Sequence, residues 1–127
     1  MDTGKPVPKA GGSAAPTAFA SGTQLAVVTT EHFLSNVNVA GSFTLVVDTV
    51  NMVAGDIIEL RIYSMVLTMG TPRVVYLMTY YGVQVIDDLI KTTPEVVNEL
   101  TDAQSLRFSL KQTFGVGCNF PWKVLKS

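Results

Sequence analysis

From residue 24 onward the chain alternates apolar and polar positions with a period of two, the pattern of strands that bury one face and expose the other. Two runs, residues 41–48 and 57–67, are the clearest examples. Because no helical period accommodates them, their apolar residues predict the inner faces of two strands. These residues are Phe43, Leu45 and Val47 in the first run and Ile58, Leu60 and Ile62 in the second.

Two further patterns predict hairpins. The turn sequence 68–72 separates the run 57–67 from a third run, 73–81, so we predict a hairpin over Ile57–Tyr81 near the centre of the fold, with Val75 and Leu77 facing inward. Near the carboxyl terminus, residues 105–114 and 120–124 flank a glycine-rich turn and predict a second hairpin. The inward residues of its first strand are Leu106, Phe108 and Leu110.

The remaining segments also favour strands. The pattern of residues 83–91 predicts a strand. For residues 93–100 a helix is an alternative to a strand, because Thr93 is a possible helix cap and Pro94 a possible first helical residue. We predict a short strand or a single turn there, since Val96 and Val97 are β-branched. Seven or eight short strands, spaced by roughly 8–12 residues, indicate an all-β protein: an antiparallel β-sandwich or jelly-roll in one domain, residues 25–127.

Residues 1–24 form an arm rich in Gly, Ala, Ser and Pro. Such a sequence lacks the apolar area to offset an ordering cost of roughly 1–2 kcal/mol per residue, so we expect the arm to be flexible or ordered by a partner. Fully extended, it would reach about 75 Å. Val7 and Phe19 are the candidate apolar anchors of such an interface.

Composition narrows the classes of function. A net charge of −1 over 127 residues gives no basis for nucleic-acid binding. No apolar run reaches the roughly 18 residues of a membrane span, and the stretch after Lys5 and Lys9 lacks the apolar centre of a secretory signal. We therefore expect no nucleic acid, no membrane and no export by that route. The single cysteine, Cys118, excludes an internal disulfide framework.

Catalytic chemistry has few candidate residues. His32 is the only histidine, and the side chains of Asp87 and Asp88 would point to opposite faces of a strand. Gly115 and Gly117 resemble half a phosphate loop, but no helix follows them. We therefore expect no catalytic centre, metal site, cofactor or small-molecule substrate, and predict that the protein is not an enzyme.

The tyrosines allow two interpretations. Tyr76, Tyr80 and Tyr81, with Tyr63, fit cross-strand packing on a twisted sheet, and they also fit an aromatic face that binds a sugar or a protein. Tyr76, Tyr80 and Tyr81 are therefore interface candidates.

Three segments carry a resemblance to known proteins. Residues 110–115 closed by Phe-Pro-Trp-Lys-Val at 120–124, together with residues 54–63 and 29–34, resemble small structural proteins encoded in tailed-phage and prophage gene clusters. The resemblance spans about residues 25–127. Proteins of that group tend to have an arginine after the second glycine of the terminal turn, where this chain has Cys118.

The resemblance implies a non-enzymatic virion protein and, more specifically, a capsid decoration (cement) protein on the capsid surface, made in the host cytoplasm. Its implied partners are the major capsid protein and copies of itself. The alternative is a carbohydrate- or receptor-binding β-sandwich module of a phage tail or spike that uses the tyrosines. Copy number separates the two, because a shell protein is abundant in the particle and a tail module is rare.

Overall fold

The computed structural model of the chain describes residues 15–127, which form nine strands and one turn of 3-10 helix. The strands are β1 (Thr17–Leu25), β2 (Glu31–Val37), β3 (Gly41–Asp48), β4 (Ile57–Ser64), β5 (Arg73–Tyr81), β6 (Ile90–Thr92), β7 (Val96–Asn98), β8 (Leu106–Phe114) and β9 (Asn119–Lys126).

The strands form two antiparallel sheets packed face to face, which confirms the predicted β-sandwich. One sheet has five strands in the order β1-β9-β3-β6, with β7 also paired to β3. The other has four strands in the order β2-β8-β4-β5. Since β6 and β7 pair with opposite ends of β3, they act as one interrupted strand. Counted in this way the fold has eight strands, and the chain crosses repeatedly from one sheet to the other, as in a jelly-roll.

The core lies between the sheets and consists largely of the predicted inward residues. Phe43, Leu45 and Val47 of β3 face Ile58, Leu60 and Ile62 of β4, and all six are fully buried. Leu106, Phe108 and Leu110 of β8 and Phe120 and Val124 of β9 complete the same cluster. Period-two burial on these four strands explains why the sequence specifies a sandwich.

The predicted carboxyl-terminal hairpin is wrong. Strand β8 pairs with β2 and β4 in the four-stranded sheet, whereas β9 pairs with β1 and β3 in the five-stranded sheet. The glycines serve a crossing between the sheets rather than a strand reversal. Gly115 has a φ of +102° and lies against Asp56, and Gly117 lies against the carbonyl oxygen of Ala26, where a side chain would overlap both neighbours.

The predicted hairpin of β4 and β5 is confirmed, but its central position is wrong. Strand β4 lies between β5 and β8, whereas β5 is the edge of the four-stranded sheet. Val75 and Leu77, predicted to be in the core, are 55% and 50% exposed. The register explains both exposures: Leu77 lies opposite Arg61 on the outer face, and Val75 is the extra residue of a bulge. The face turned to the core instead carries Tyr76, Met78 and Tyr80, opposite buried residues of β4. Because both faces of β5 are largely apolar or aromatic, the alternation alone could not show which face is buried.

Residues 83–91 differ from the predicted strand. A 3-10 turn occupies Ile86–Asp88, and β6 begins only at Ile90. Further along, β7 confirms the preference for a short strand over a helix. The side chain of Lys91 is nearly buried and pairs with Asp88 at 2.8 Å, which stabilises the tight turn between them.

The predicted arm overlaps the folded domain. Strand β1 pairs with β9 from Thr17 to Leu25, so residues 17–24 belong to the five-stranded sheet. The phenyl rings of Phe19 and Phe43 meet edge to face at 5.2 Å, which explains why this polar, small-residue strand can dock. Residues 1–14, including Val7, lie outside the described residues.

Candidate assembly surface

Strand β5 exposes an apolar surface on both of its faces. It pairs with β4 along one edge and lies at the end of its sheet. Of its nine residues only Arg73 is charged. Five apolar side chains along it are exposed by between 43% and 70%: Val74, Val75, Leu77, Met78 and Tyr81. Contiguous apolar exposure of this kind marks interaction surfaces.

The other strands at sheet edges lack this character. Strand β1 is mostly small and polar and has a register shift between Ala18 and Ala20. Strand β2 begins with Glu31 and His32 and is irregular beside Phe33. Strands β6 and β7 have three residues each. Charge, bulges and short length are the usual means of protecting a sheet edge, and β5 has only one bulge, at Val75.

The connections at both ends of β5 extend the apolar surface. Leu67 and Met69, before the strand, are 72% and 91% exposed. After the strand, Val83, Val85 and Ile86 are each exposed by about two thirds or more. Strand β5 and these two connections are called the β5 surface below. It combines an open hydrogen-bonding edge with apolar side chains, which are the two requirements for pairing with another strand.

The three tyrosines that the sequence suggested for an interface lie on different faces of β5. Tyr76 and Tyr80 lie on the inner face of β5, opposite Ile62 and Ile58, and pack against the core. The ammonium group of Lys91 lies 4.9 Å from the Tyr80 ring. Burial raises the pKa of the Tyr80 hydroxyl, with a smaller contribution from Tyr76.

Tyr81 lies on the opposite face of β5 and is 70% exposed. Phe19, the other candidate within the described residues, lies on β1 at the edge of the five-stranded sheet, where its ring meets that of Phe43 edge to face. Of the candidates within residues 15–127, only Tyr81 therefore belongs to the exposed part of the β5 surface. Sequence reasoning missed Leu77 because it assigned that residue to the core, whereas Leu77 lies opposite Arg61 on the outer face. It made no prediction for Met78, which lies opposite Leu60 on the inner face and is 43% exposed.

A network of polar side chains covers the outer face of the four-stranded sheet beside β5. The Glu31 carboxylate accepts hydrogen bonds from the Tyr63 hydroxyl at 2.7 Å and the Ser109 hydroxyl at 2.6 Å. Arg61 lies 3.7 Å from Glu31 and donates a hydrogen bond to Glu59 at 2.7 Å. The hydrogen bonds to each group make this a satisfied network rather than an open binding pocket.

Electrostatics within the network hold Glu31 in its ionised form. Burial alone would raise the pKa of the Glu31 carboxyl, but the hydrogen bonds from Ser109 and Tyr63 and the charge of Arg61 outweigh burial and lower it. Burial, followed by the hydrogen bond to Glu31, raises the pKa of the Tyr63 hydroxyl, and Arg61 opposes this change. The network therefore fixes β2, β4 and β8 together and leaves β5 as the strand without such cover.

The residues that the sequence suggested as catalytic or metal-binding candidates take part in contacts that stabilise the fold. The His32 ring accepts the main-chain N–H of Val27 at its Nε2 atom and lies 3.1 Å from the Gln24 amide at its Nδ1 atom, so it joins β1 to β2. Among residues 15–127 no group of three or more His, Cys, Asp or Glu side chains is placed to hold a metal ion. This part of the chain also contains no helix of the length and apolarity that a bilayer span requires.

Cys118 lies in the crossing between the sheets. Its Sγ atom is 4.0 Å from the Oδ2 atom of Asp56, and burial, followed by the charge of Asp56, raises the pKa of the thiol. A raised pKa disfavours the thiolate and with it nucleophilic reactivity.

An open cleft of about 380 Å³ lies on the five-stranded sheet. Its lining residues are Ser21, Val46, Asp48, Ile90, Pro121, Trp122 and Lys123. Asp48 already accepts the main-chain N–H of Val50 at 3.0 Å, and the Trp122 ring lies against Gly22 on the neighbouring strand. Trp122 is the only aromatic residue of this lining and packs partly against the core, which disfavours the cleft as a sugar-binding site.

No family model, curated protein or solved structure matches the chain.

Proposed function

We propose that the chain is a non-enzymatic structural protein of a bacteriophage particle, a capsid decoration (cement) protein that binds and stabilises the major capsid shell. The β5 surface carries the part of the proposal that makes the chain a subunit of a larger assembly, and the contact with the shell itself is assigned to residues 1–14. A regular apolar edge with exposed side chains on both faces favours a protein that is covered by another polypeptide when it works. The resemblance of residues 29–34, 54–63 and 110–124 to tailed-phage structural proteins supports placing that partner in a virion.

In this proposal residues 1–14 contact the shell. They precede β1, which contacts β2 across the sandwich, and β2 lies at the edge of the four-stranded sheet opposite to β5. Fourteen residues extend at most about 50 Å, enough to pass over a neighbouring subunit. Backbone hydrogen bonds and the apolar side chain of Val7 would offset the entropy of ordering this segment.

The alternative, a carbohydrate- or receptor-binding module of a tail or spike, uses exposed aromatic ring faces. Of the three tyrosines on β5, two pack against the core and only Tyr81 is largely exposed. This distribution favours the decoration protein.

A binding assay tests the proposal. Full-length protein and a chain that begins at Ala15 are mixed with purified particles of the encoding phage from which the protein has been removed, and retention after sedimentation is measured. We expect the full chain to be retained and the shorter chain to lose at least about tenfold in affinity, equivalent to roughly 1.4 kcal/mol. The shell role is wrong if the full chain is not retained. Equal retention of both chains would refute the role of residues 1–14.

A further inference from the structure

We propose that β5 of one copy pairs with β5 of a second copy, antiparallel and about a two-fold axis that passes beside Met78, so that two four-stranded sheets become one continuous sheet. The pairing goes beyond the capsid role and does not depend on it, because it is a property of the free protein. The occupant of the β5 surface is thus another copy of this chain.

The pattern of charge on β5 favours a second copy as the partner. From Val74 to Tyr81 the strand carries no charged side chain, so an antiparallel copy places no like charges opposite each other. Arg73, at the amino end of the strand, lies outside the stretch that would pair. An edge without charge also offers no electrostatic selection for a basic or an acidic partner, whereas self-pairing requires none.

The register follows from the bulge and the symmetry. In the pairing of β4 with β5, Ile62 lies opposite Tyr76 and Tyr63 opposite Val74, so Val75 is the extra residue of a bulge. Regular strand geometry therefore runs from Tyr76 to Tyr81. A two-fold axis perpendicular to the sheet leaves the inner faces of both copies on the same side of the joined sheet. Residues that lie opposite each other then belong to the same face, and one residue lies opposite its own copy at the axis.

Within the regular stretch, a centre at Met78 and a centre at Thr79 each pair five residues of the two copies. We place the axis at Met78 because of the side chains that this centre brings together. Tyr76 then lies opposite Tyr80 of the second copy on the inner face, which is a favourable aromatic cross-strand pair. On the outer face Leu77 lies opposite Thr79 of the second copy. The half-exposed side chains of Leu77 and Met78 become less accessible to solvent in this arrangement. Met78 lies opposite Met78 of the second copy.

The connections beside β5 enlarge the interface. A stable interface buries about 800 Å² on each partner, more than one strand supplies. Leu67 and Met69 lie beyond one end of β5 and Val85 and Ile86 beyond the other, and antiparallel pairing brings the two ends of opposite copies together. Each group of exposed apolar side chains would thereby approach the other group of the second copy.

Sedimentation equilibrium of the full chain, from about 1 to 100 μM, measures the association. We expect a monomer–dimer equilibrium, and we expect Leu77→Lys to weaken it at least tenfold because a charge on the edge opposes strand pairing. Val97→Lys is the matched control, since Val97 is likewise an exposed aliphatic residue of a strand, 70% exposed, but lies on β7 of the other sheet. A full chain that remains monomeric at 100 μM would overturn the proposal, as would equal effects of the two variants.

Cysteine cross-linking tests the register. In a Cys118→Ser background, Met78→Cys places two thiols opposite each other, where Cα atoms of antiparallel partners lie about 4.5–5.5 Å apart, within disulfide range. We expect Met78→Cys to give a disulfide dimer under mild oxidation and Leu77→Cys, which is offset from its own copy, to give at least fivefold less. Cross-linking that is equal at the two positions, or absent at position 78 while wild-type dimer is present, contradicts the pairing. The thermal melt of each variant confirms that it is folded.

Discussion

The buried carboxylate of Asp56 accepts the main-chain N–H of Val116 at 3.1 Å across 60 positions of sequence, and it thereby fixes the crossing that carries the chain from one sheet to the other. The second oxygen of the same carboxylate accepts the N–H of Val53 at 2.9 Å. Asp56 thus holds two loops together, one before β4 and one after β8. Between these loops Gly115 lies so close to Asp56 that an added Cβ atom would overlap its Oδ1 atom.

Gly115→Ala should therefore be strongly destabilising. The substitution combines a positive φ of +102° with a clash against a buried carboxylate, and we expect a loss of about 3 kcal/mol or more in the free energy of unfolding. Gly82→Ala is the control, because Gly82 also has a positive φ, +68°, but open space around its Cα atom. Its cost should be about 1–2 kcal/mol. Urea unfolding measures both, and equal losses would show that the contact with Asp56 is unimportant.

Two leucines with the same sequence pattern should differ in their contribution to stability. Leu60 of β4 is fully buried, so Leu60→Ala should cost about 2–5 kcal/mol, whereas half-exposed Leu77 of β5 should cost less than about 1 kcal/mol in the monomer. Denaturant unfolding at low protein concentration isolates the monomer. A loss for Leu77→Ala as large as that for Leu60→Ala would mean that β5 is covered within the single chain.

The Glu31 network should make stability depend on acid pH. Because the folded-state pKa of Glu31 is lowered, the ionised carboxylate stabilises the fold above its unfolded-state pKa of about 4.3, and this contribution is lost as the pH falls through the lower folded-state value. The destabilisation caused by Glu31→Gln should therefore be largest at neutral pH and decrease below about pH 4. Glu99→Gln, at an exposed position, is the control. A Glu31→Gln effect that is constant from pH 7 to 3 would contradict the assigned contacts.

Two truncations should separate folding from assembly at the amino terminus. A chain that begins at Ala15 retains β1 and should melt within about 2 °C of the full protein, whereas one that begins at Gln24 loses most of β1 and the contact of Phe19 with Phe43. We expect the second truncation to lower the melting temperature by about 10 °C or more. If both truncations melt like the full chain, β1 does not contribute to the stability of the domain.

The sequence predicts the strands of the core because burial repeats every second residue there. Leu60, Phe108 and Phe43 lie in strands with neighbours on both sides, where one face meets the other sheet and the other face is polar. Period-two alternation encodes this arrangement directly. Local pattern therefore suffices for which residues of these strands are buried.

Partnership between distant strands is less visible in sequence. The alternation of β8 and β9 is the same whether they pair with each other or with strands of different sheets. The crossing is fixed by contacts between residues distant in sequence, namely the close approach of Gly115 and Gly117 to Asp56 and Ala26 and the hydrogen bond from Val116 to Asp56. The sequence of β5 likewise does not show that this strand lies at the edge of its sheet, because its position depends on which other strands join that sheet. The candidate surface could be anticipated at Tyr81, but Leu77 and Met78 became visible only with the sheet order.

The proposed capsid role is tested most directly by the copy number of the protein in virions purified from cells that produce it. Quantitative mass spectrometry gives the molar ratio of this chain to the major shell protein in the same particles. A decoration protein is predicted to be present in a fixed ratio close to a small-integer fraction of the shell subunits, because it follows the symmetry of the lattice. A ratio corresponding to a handful of copies per particle would instead place the protein in the tail or spike, and its absence from the particle would contradict the virion role altogether.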